Sequence, residues 1–230
     1  MRLAVIPARG GSKRIPRKNI RDFCGMPMIA RPIKVARASG CFDRIVVSTD
    51  DVEIAEVAQW HGADVPFLRP AALSDDHTPT RPVIAHAIEA LAGTGFVACQ
   101  VCCIYATAPF IRAEDLRAAL DVLETGGHTY VFAVTSFAFP IQRALRMDRG
   151  GAVEMFQPEH FATRSQDLEE AWHDAGQFYW ARADQWRSDS PIFGQGAAAV
   201  AIPRHRAQDI DTPEDWHLAE LLFRASEIER

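Results

Sequence analysis

The sequence predicts an α/β fold in which helices cover a mostly parallel sheet. Short apolar segments with strand propensity alternate with segments of helical periodicity from Leu3 to Val134. The 230 residues suffice for one domain with a substantial core, and their 48% hydrophobic and 24% charged content is that of an ordinary globular enzyme. Strands joined by such helices form right-handed βαβ units, and these sheets bind ligands beyond the carboxyl ends of their strands.

The predicted elements follow one another in regular order. Strands are expected at residues 3–7, 44–48, 97–104, 130–134 and 177–180. Helices are expected at about 28–38, 81–91, 113–123 and 213–226, the last with a proline in its first turn. A further helix begins after Asp50 or Asp51, either of which can cap it, and its buried face is assigned to Ile54, Val57, Ala58 and Trp60.

The alternation fails between residues 135 and 173. This stretch mixes charges with large apolar residues, among them Phe137, Phe139, Phe156 and Phe161. We interpret it as a small protruding insertion in a single domain that spans residues 1–230. Such an insertion is expected to cover the site or to form a subunit contact.

The distribution of charge narrows the classes of function. A net charge of −5 argues against a general nucleic-acid-binding protein, and no apolar run is long enough to cross a bilayer. Met1 leads directly into a strand segment without the features of a signal peptide, so a cytoplasmic location is expected.

Six basic residues and no acidic ones lie between Arg9 and Arg21, which is typical of a segment that holds an anion.

The loop from Pro7 to Asn19 is the strongest functional signal. Gly10 and Gly11 let backbone amides turn towards a ligand without a Cβ in the way, and the basic side chains neutralise it, which suits a polyphosphate. The spacing matches neither a P-loop nor GxGxxG, so kinases and nicotinamide-dependent enzymes are disfavoured. The alternative interpretation is a solvated basic loop at the surface.

A second signal is the pair Asp209 and Asp211. Carboxylates at positions i and i+2 of an extended segment project to the same side, where they repel each other unless a cation lies between them. Oxygen ligands favour Mg²⁺. The alternative is that Asp211 or Thr212 caps the helix that follows.

These motifs resemble the CMP-sialic acid synthetase family along nearly the whole chain. Its general signatures are matched by Ile6–Asn19 and Asp209–Thr212, whereas Phe156–His160 and His173–Trp180 resemble its pseudaminic acid branch. The resemblance implies a Rossmann-like nucleotidyltransferase fold, Mg²⁺, CTP as donor, and a homodimer whose protruding element reaches the neighbour's site. The implied reaction is attack by the anomeric hydroxyl of a nine-carbon sialic-acid-like sugar acid, with pseudaminic acid favoured, on the α-phosphorus of CTP. Pyrophosphate is released, and the product serves cell-surface or flagellin glycosylation.

The resemblance also implies roles for individual residues. Catalytic roles fall to Arg9, Lys18 and Asp211, and metal binding falls to Asp209 and Asp211. The nucleotide contacts are assigned to Ala8, Arg9, Gly10, Gly11, Ser12, Lys18, Asn19, Arg69, Ser74 and Asp75. The sugar contacts are assigned to Tyr105, Thr107, Gln177 and Arg164, the last reaching over from the partner subunit.

Two departures from the family pattern bear on the sugar. Tyr105 stands where sialic acid enzymes have glutamine, and Ala175-Gly176 replaces their Asn-Gly. Both lie where the sugar is expected, which disfavours N-acetylneuraminic acid.

Other functions remain as alternatives. They are a cytidylyltransferase for N-acetylneuraminic, legionaminic or 3-deoxy-octulosonic acid and, from another class, a non-catalytic module that binds a nucleotide or RNA. The paired carboxylates argue against the second, because acids beside a bound polyanion require a cation. The proton acceptor stays open, with Asp211 as one candidate.

Overall fold

A six-stranded mixed sheet forms the centre of the protein. The computed structural model describes residues 1–228, so the last two positions of the domain predicted over 1–230 lie outside it. The strands of this sheet are β1 (Arg2–Pro7), β4 (Arg44–Ser48), β5 (Gln100–Ile104), β6 (Tyr130–Ser136), β9 (Trp172–Arg182) and β10 (Ala198–Ala201). Their order in the sheet is β10-β6-β9-β5-β1-β4. β9 runs antiparallel to β5 and β6, whereas the other neighbouring strands are parallel.

Helices cover both faces of this sheet. Alternation along β1 sends Ala4 and Ile6 into one core cluster, and Leu3 and Val5 into the other. The helices are α1 (Ala30–Ser39), α2 (Val52–Trp60), α3 (Thr80–Ala92), α4 (Ala113–Gly126), α5 (Ala183–Arg187) and α6 (Pro213–Ile228). Of these, α1, α2 and α4 pack against the first face, and α3 and α5 pack against the second. None of the helices described is long and apolar enough to span a membrane.

The α/β prediction is confirmed, with corrections at element boundaries. β5 begins at Gln100 rather than Val97, because Val97 is exposed before the sheet is reached. β9 is longer than the strand predicted at 177–180, and neither its antiparallel direction nor β10 was predicted. The hydrophobic pattern of one strand does not show whether its neighbour is parallel or antiparallel, because strands of either direction bury the same alternating residues.

The prediction that Trp60 lies on the buried face of α2 is wrong. Its side chain is 87% exposed, whereas Ile54 and Ala58 are buried. At 100° per residue, Trp60 lies about 240° around the helix from Ile54, which places it on the other side. Asp51 caps this helix by accepting the N–H of Ile54 at 3.0 Å.

A third apolar cluster lies apart from the two faces of the sheet. It joins Ile15, from the basic loop, to Ile210, which lies between the two aspartates, and to Trp216 of α6. Phe23, the last residue of the short strand β2 (Asp22–Phe23), which pairs with β3 (Met26–Pro27), belongs to it as well. We call this the lower cluster; it links the two segments that carry the functional signals.

The insertion is folded but exposes much of its apolar surface. Residues 137–171 form 3₁₀ turns and an antiparallel hairpin of β7 (Leu145–Met147) and β8 (Val153–Met155). Phe139 and Phe161 are 82% and 79% exposed. Several large apolar side chains exposed within one segment favour an interaction surface there.

Candidate active site

The basic loop follows β1 at the edge of the sheet where β4 and β5 also end. The N–H of Gly10 donates to Oδ1 of Asp50 at 3.0 Å, so this amide holds the loop to the end of β4. A Cβ on Gly10 would lie 2.5 Å from Oδ2 of Asp51, so the close approach requires glycine. On the other side of the loop, Ile15 is fully buried in the lower cluster. The loop is therefore held at two points along its length, although five of its thirteen residues are charged.

This loop forms one wall of a cavity of about 450 Å³. The opposite walls come from the segment after β5 and from the segment before α6. Four basic and two acidic side chains face the cavity, which leaves an excess of positive charge suited to an anionic ligand. The lining residues are Pro7, Arg9, Ser12, Lys13, Arg14, Lys18, Asn19, Asp76, Tyr105, Ala106, Thr107 and Asp211.

Asp76 bridges two of the cations at one side of the cavity. It is ion-paired with Arg9, and Lys13 donates to its other oxygen. The hydrogen bonds from Lys13 and Arg9 lower the pKa of Asp76. A polyanionic ligand that took these two cations would displace a carboxylate that now neutralises them.

Asp211 pairs with the other two cations. Arg14 Nη2 lies 2.7 Å from its Oδ2, and Lys18 Nζ lies 3.3 Å from its Oδ1. Lys18 also donates to the carbonyl of Ile210 at 2.8 Å. Since Ile210 is buried between Asp209 and Asp211, the two carboxylates face outwards on the same side, as the alternation of an extended segment predicts.

Asp209 lies in an environment that disfavours its charge. Desolvation raises the pKa of its carboxyl group, and repulsion from Asp211 adds to this, whereas Lys18 opposes it. A cation between the two carboxylates would relieve the repulsion.

The donor set around this pair suits Mg²⁺ that is shared with a ligand. Within residues 1–228 no group of three or more carboxylate, imidazole or thiol side chains converges as a complete metal cage. Mg²⁺ commonly takes one or two protein carboxylates and completes its octahedron with water and phosphate oxygens. Asp209 and Asp211 beside a basic cavity fit that arrangement.

Arg17 belongs to the same basic run but points away from the cavity. It donates two hydrogen bonds to Asp51, of 2.5 and 3.0 Å, and it is ion-paired with Glu53. The bonds from Arg17 lower the pKa of Asp51 from 3.8 to about 2. This side chain ties the loop to the start of α2 and is not available to a ligand in the cavity.

Arg69 is a buried cation with unused donors. Its Nε and Nη2 have no hydrogen-bond partner within the described chain, and the nearest carboxylate oxygen, on Asp50, lies 4.0 Å away. Burial lowers the pKa of Arg69, and Asp50 counteracts this. Buried polar groups are normally satisfied, so the two unused donors are an unusual feature of this side chain, which does not itself line the cavity.

The wall after β5 is less charged. Tyr105 is half-buried, its hydroxyl lies 3.1 Å from Oγ1 of Thr80, and burial raises its pKa. Its ring packs against Tyr179, with centroids 5.3 Å apart, and Tyr179 donates a hydrogen bond to Asp174. Tyr105 and Thr107, with Ala106 between them, therefore add two hydroxyl-bearing residues to the lining of the cavity.

The cavity brings together only part of the residue set assigned from the sequence. Arg9, Ser12, Lys18, Asn19, Tyr105, Thr107 and Asp211 line it. Ala8, Gly10 and Gly11 lie in the same loop without lining it, Arg69 lies behind Asp50, and Asp209 lies beside Asp211. Ser74 bonds to the carbonyl of Pro70, and Asp75 caps its own turn through the N–H groups of His77 and Thr78.

Two residues assigned to the sugar lie outside the cavity. Gln177 is buried and donates to the carbonyl of Arg206 at 2.5 Å. Arg164, in the insertion, is exposed and pairs with Asp167 at 2.7 Å. In one chain, neither side chain lines the cavity, and their roles stay predictions.

The sequence interpretation missed Lys13, Arg14 and Asp76 as cavity residues. The two cations belong to the basic run, so their signal was present but could not be separated from that of Arg17. Asp76 directly follows the assigned Ser74 and Asp75. Only the folded loop shows that Asp76, and not Asp75, faces the cations.

Residues 3–214 match the family described as Cytidylyltransferase. The chain is 43% identical to a pseudaminic acid cytidylyltransferase of Campylobacter jejuni, over 97% of each protein. It is 32% identical to a CMP-N,N'-diacetyllegionaminic acid synthase of Legionella pneumophila, over 98% of this chain and 97% of that protein.

Solved structures share the fold at low identity. A CMP:2-keto-3-deoxy-manno-octonic acid synthetase complexed with CTP superposes with a TM-score of 0.69 at 18% identity, over 98% of this chain and 99% of that one. A 4-diphosphocytidyl-2C-methyl-D-erythritol synthase of Anaerococcus prevotii gives 0.67 at 11% identity, over 97% and 96%. These likenesses confirm the Rossmann-like nucleotidyltransferase architecture. With the full-length match of its sequence, the chain belongs to the cytidylyltransferase family.

Proposed function

We propose that this protein transfers CMP from CTP to pseudaminic acid and releases pyrophosphate. Two relatives named for this reaction match it over nearly their whole length. The observation that carries the proposal is the cavity itself, whose lining combines Arg9, Lys13 and Lys18 with Tyr105 and Thr107. A polyphosphate and a sugar acid could meet there.

The cations act on the phosphates. Arg9 and Lys18 stabilise the charge that develops on the phosphoryl oxygens as the bond to pyrophosphate weakens, because they lie in a site that is partly shielded from water. The unused donors of Arg69 supply further contacts for the nucleotide. Asp209 and Asp211 hold Mg²⁺, which supplies charge neutralisation at the phosphates when bound.

Tyr105 and Thr107 bind the sugar acid on the opposite wall. An aromatic ring with a hydroxyl packs on a methyl group and also forms a hydrogen bond. Pseudaminic acid carries such a methyl at its terminal carbon, according to the family resemblance. Asp211, one of the two carboxylates on the cavity wall, is the candidate for accepting the proton of the anomeric hydroxyl.

The working unit is a homodimer. The exposed apolar side chains of the insertion support this, since Phe139, Phe156 and Phe161 remain 82%, 61% and 79% exposed. Arg164 lies in the same insertion and would reach the carboxylate of the sugar acid in the neighbouring site, where an arginine binds bidentately. All five cysteines are free thiols, which suits the reducing cytoplasm as the location.

The test is release of pyrophosphate by the purified protein. CTP with pseudaminic acid is expected to be turned over with Mg²⁺ and to stop with a chelator. A panel of N-acetylneuraminic, legionaminic and 3-deoxy-octulosonic acids, each also tried with ATP, GTP and UTP, defines both specificities. If another acid were turned over faster, it would replace pseudaminic acid in the proposal. If no pyrophosphate were released with any of the acids, the proposal would be overturned.

A further inference from the structure

The segment that carries Asp209 and Asp211 is anchored at both ends. At its downstream end, Thr212 and Asp215 form a reciprocal capping box at the start of α6: Asp215 accepts the N–H of Thr212 at 2.7 Å and donates its own N–H to Oγ1 of Thr212 at 3.2 Å. Asp215 also accepts the N–H of Asp211 at 3.1 Å. The downstream side of the carboxylate pair is therefore fixed by α6.

The upstream anchor is Arg206, a buried cation outside the cavity. Its guanidinium donates twice to the carbonyl of Phe110, with both bonds 3.2 Å long, and forms an ion pair with Asp115 in the first turn of α4. The two side chains are only 6% and 13% exposed. An ion pair this well shielded from water holds its geometry more strongly than one at the surface.

The backbone of Arg206 is held as well. Nε2 of Gln177, on β9, donates to its carbonyl at 2.5 Å. Arg206 thus joins three parts of the fold: β9, the turn at Phe110, and α4. Phe110 packs in the lower cluster with Ile210, so the anchor and the carboxylate segment share one piece of core.

We propose that Arg206 is a positioning residue, which with Asp115 fixes the segment from 207 to 211 so that Asp209 and Asp211 stay close enough to share one cation. Two neighbouring carboxylates repel each other, and a segment free at one end would relax by separating them. The anchors impose the arrangement before any ligand arrives, as outer-shell groups do for the ligands of metal sites. This proposal rests on the proposed metal role of the two aspartates.

The test compares two neighbouring carboxylates in the first turn of α4. Asp115→Asn removes the charge that faces Arg206, whereas the control Glu114→Gln removes an exposed carboxylate that lies 3.7 Å from Arg112. Arg206→Lys keeps the charge but loses the forked contact. Mn²⁺ affinity is measured by electron paramagnetic resonance with a non-hydrolysable CTP analogue, and amide exchange is followed over residues 207–212.

Asp115→Asn and Arg206→Lys are expected to weaken Mn²⁺ binding roughly tenfold, the size typical of outer-shell changes at metal sites. Both should also speed exchange over 207–212, and Glu114→Gln should do neither. Wild-type affinity and exchange in a folded Asp115→Asn protein overturn the proposal, even if Arg206→Lys fails to fold. If the wild type itself binds no Mn²⁺, the metal assignment fails, and the exchange data alone decide whether the segment is anchored by this pair.

Discussion

The cavity and the insertion differ in how their side chains are partnered. Each of the four cations that line the cavity pairs with an acid from the same chain, Arg9 and Lys13 with Asp76, and Arg14 and Lys18 with Asp211. In the insertion, large apolar side chains such as Phe139 and Met147 remain exposed. The difference teaches that one chain supplies every partner of the cavity's cations, whereas it leaves the apolar side chains of the insertion exposed, as the proposed homodimer requires.

The largest effect is expected from the carboxylates of the cavity. Asp211→Asn should lower turnover roughly 100-fold or more, because several kcal/mol of metal stabilisation depend on the carboxylate pair. The measurement is kcat over a titration of Mg²⁺. Glu214→Gln, which removes an exposed carboxylate from the first turn of α6 without touching the aspartate segment, is the control. Near-normal Mg²⁺-dependent turnover in Asp211→Asn would show that the pair does not hold the metal.

A smaller effect separates the cations within the basic loop. Arg9→Ala and Lys18→Ala should each lower kcat/KM for CTP by roughly 10- to 100-fold, the range for loss of a charged contact to a transition state. Arg14→Ala should lower it much less, because Arg14 is the more exposed of the two partners of Asp211. Equal losses in all three would indicate a diffuse basic patch in place of specific contacts.

The insertion is tested by complementation between two inactive proteins. Mixing Arg164→Ala with Asp211→Asn creates heterodimers in which one site keeps both wild-type residues. Activity should rise to roughly a quarter of wild type, since half of the dimers are mixed and one site in each is intact.

Both inactive proteins are then given Phe139→Asp and Phe161→Asp together. The double change should abolish the recovery of activity, because it puts charges on the exposed apolar surface that is proposed to join the subunits. Mixed dimers are verified by mass spectrometry. If heterodimers form and activity stays absent, Arg164 serves its own subunit or only the fold of the insertion.

The smallest effect on activity is expected from the pair of Arg17 and Asp51, which lies outside the cavity. Its contribution is therefore measured as stability of the fold. Asp51→Asn keeps a capping side chain but removes the charge, and should cost about 1 kcal/mol of unfolding free energy at pH 7, since solvent screens the partly exposed pair. The folded pKa of about 2 lies below the ordinary 3.8. The wild-type advantage is therefore full above about pH 5 and disappears as the pH falls towards 2.

Urea unfolding from pH 7 to 2 measures this advantage. Glu53→Gln, which removes the exposed second partner of Arg17, is the control and should change stability little. A constant difference between wild type and Asp51→Asn at all pH values would contradict the assigned pKa.

Several features of the fold could be predicted from local pattern. The strand at residues 44–48 and the helices near 81–91 and 113–123 agree with the structure to within three residues at each end, because their burial periodicity is read within one segment. Pro32 did not prevent a helix near 28–38, since α1 begins at Ala30 and its first turn requires no N–H at that position. The family, and with it transfer of CMP from CTP, was also predicted and is confirmed.

Other features depended on contacts between distant segments. The sequence by itself determined the alternating strands and helices, the basic loop after the first strand, and a pair of aspartates on one side of an extended segment. It could not determine which loop cation meets which acid, because Arg9 and Asp76 or Lys18 and Asp211 are brought together only by the sheet and the lower cluster. Nor could the sequence show that Gln177 bonds to the carbonyl of Arg206, or that Arg17 bonds to Asp51 outside the cavity. Periodicity records which face of a segment is buried, whereas partners between segments are selected by packing in three dimensions.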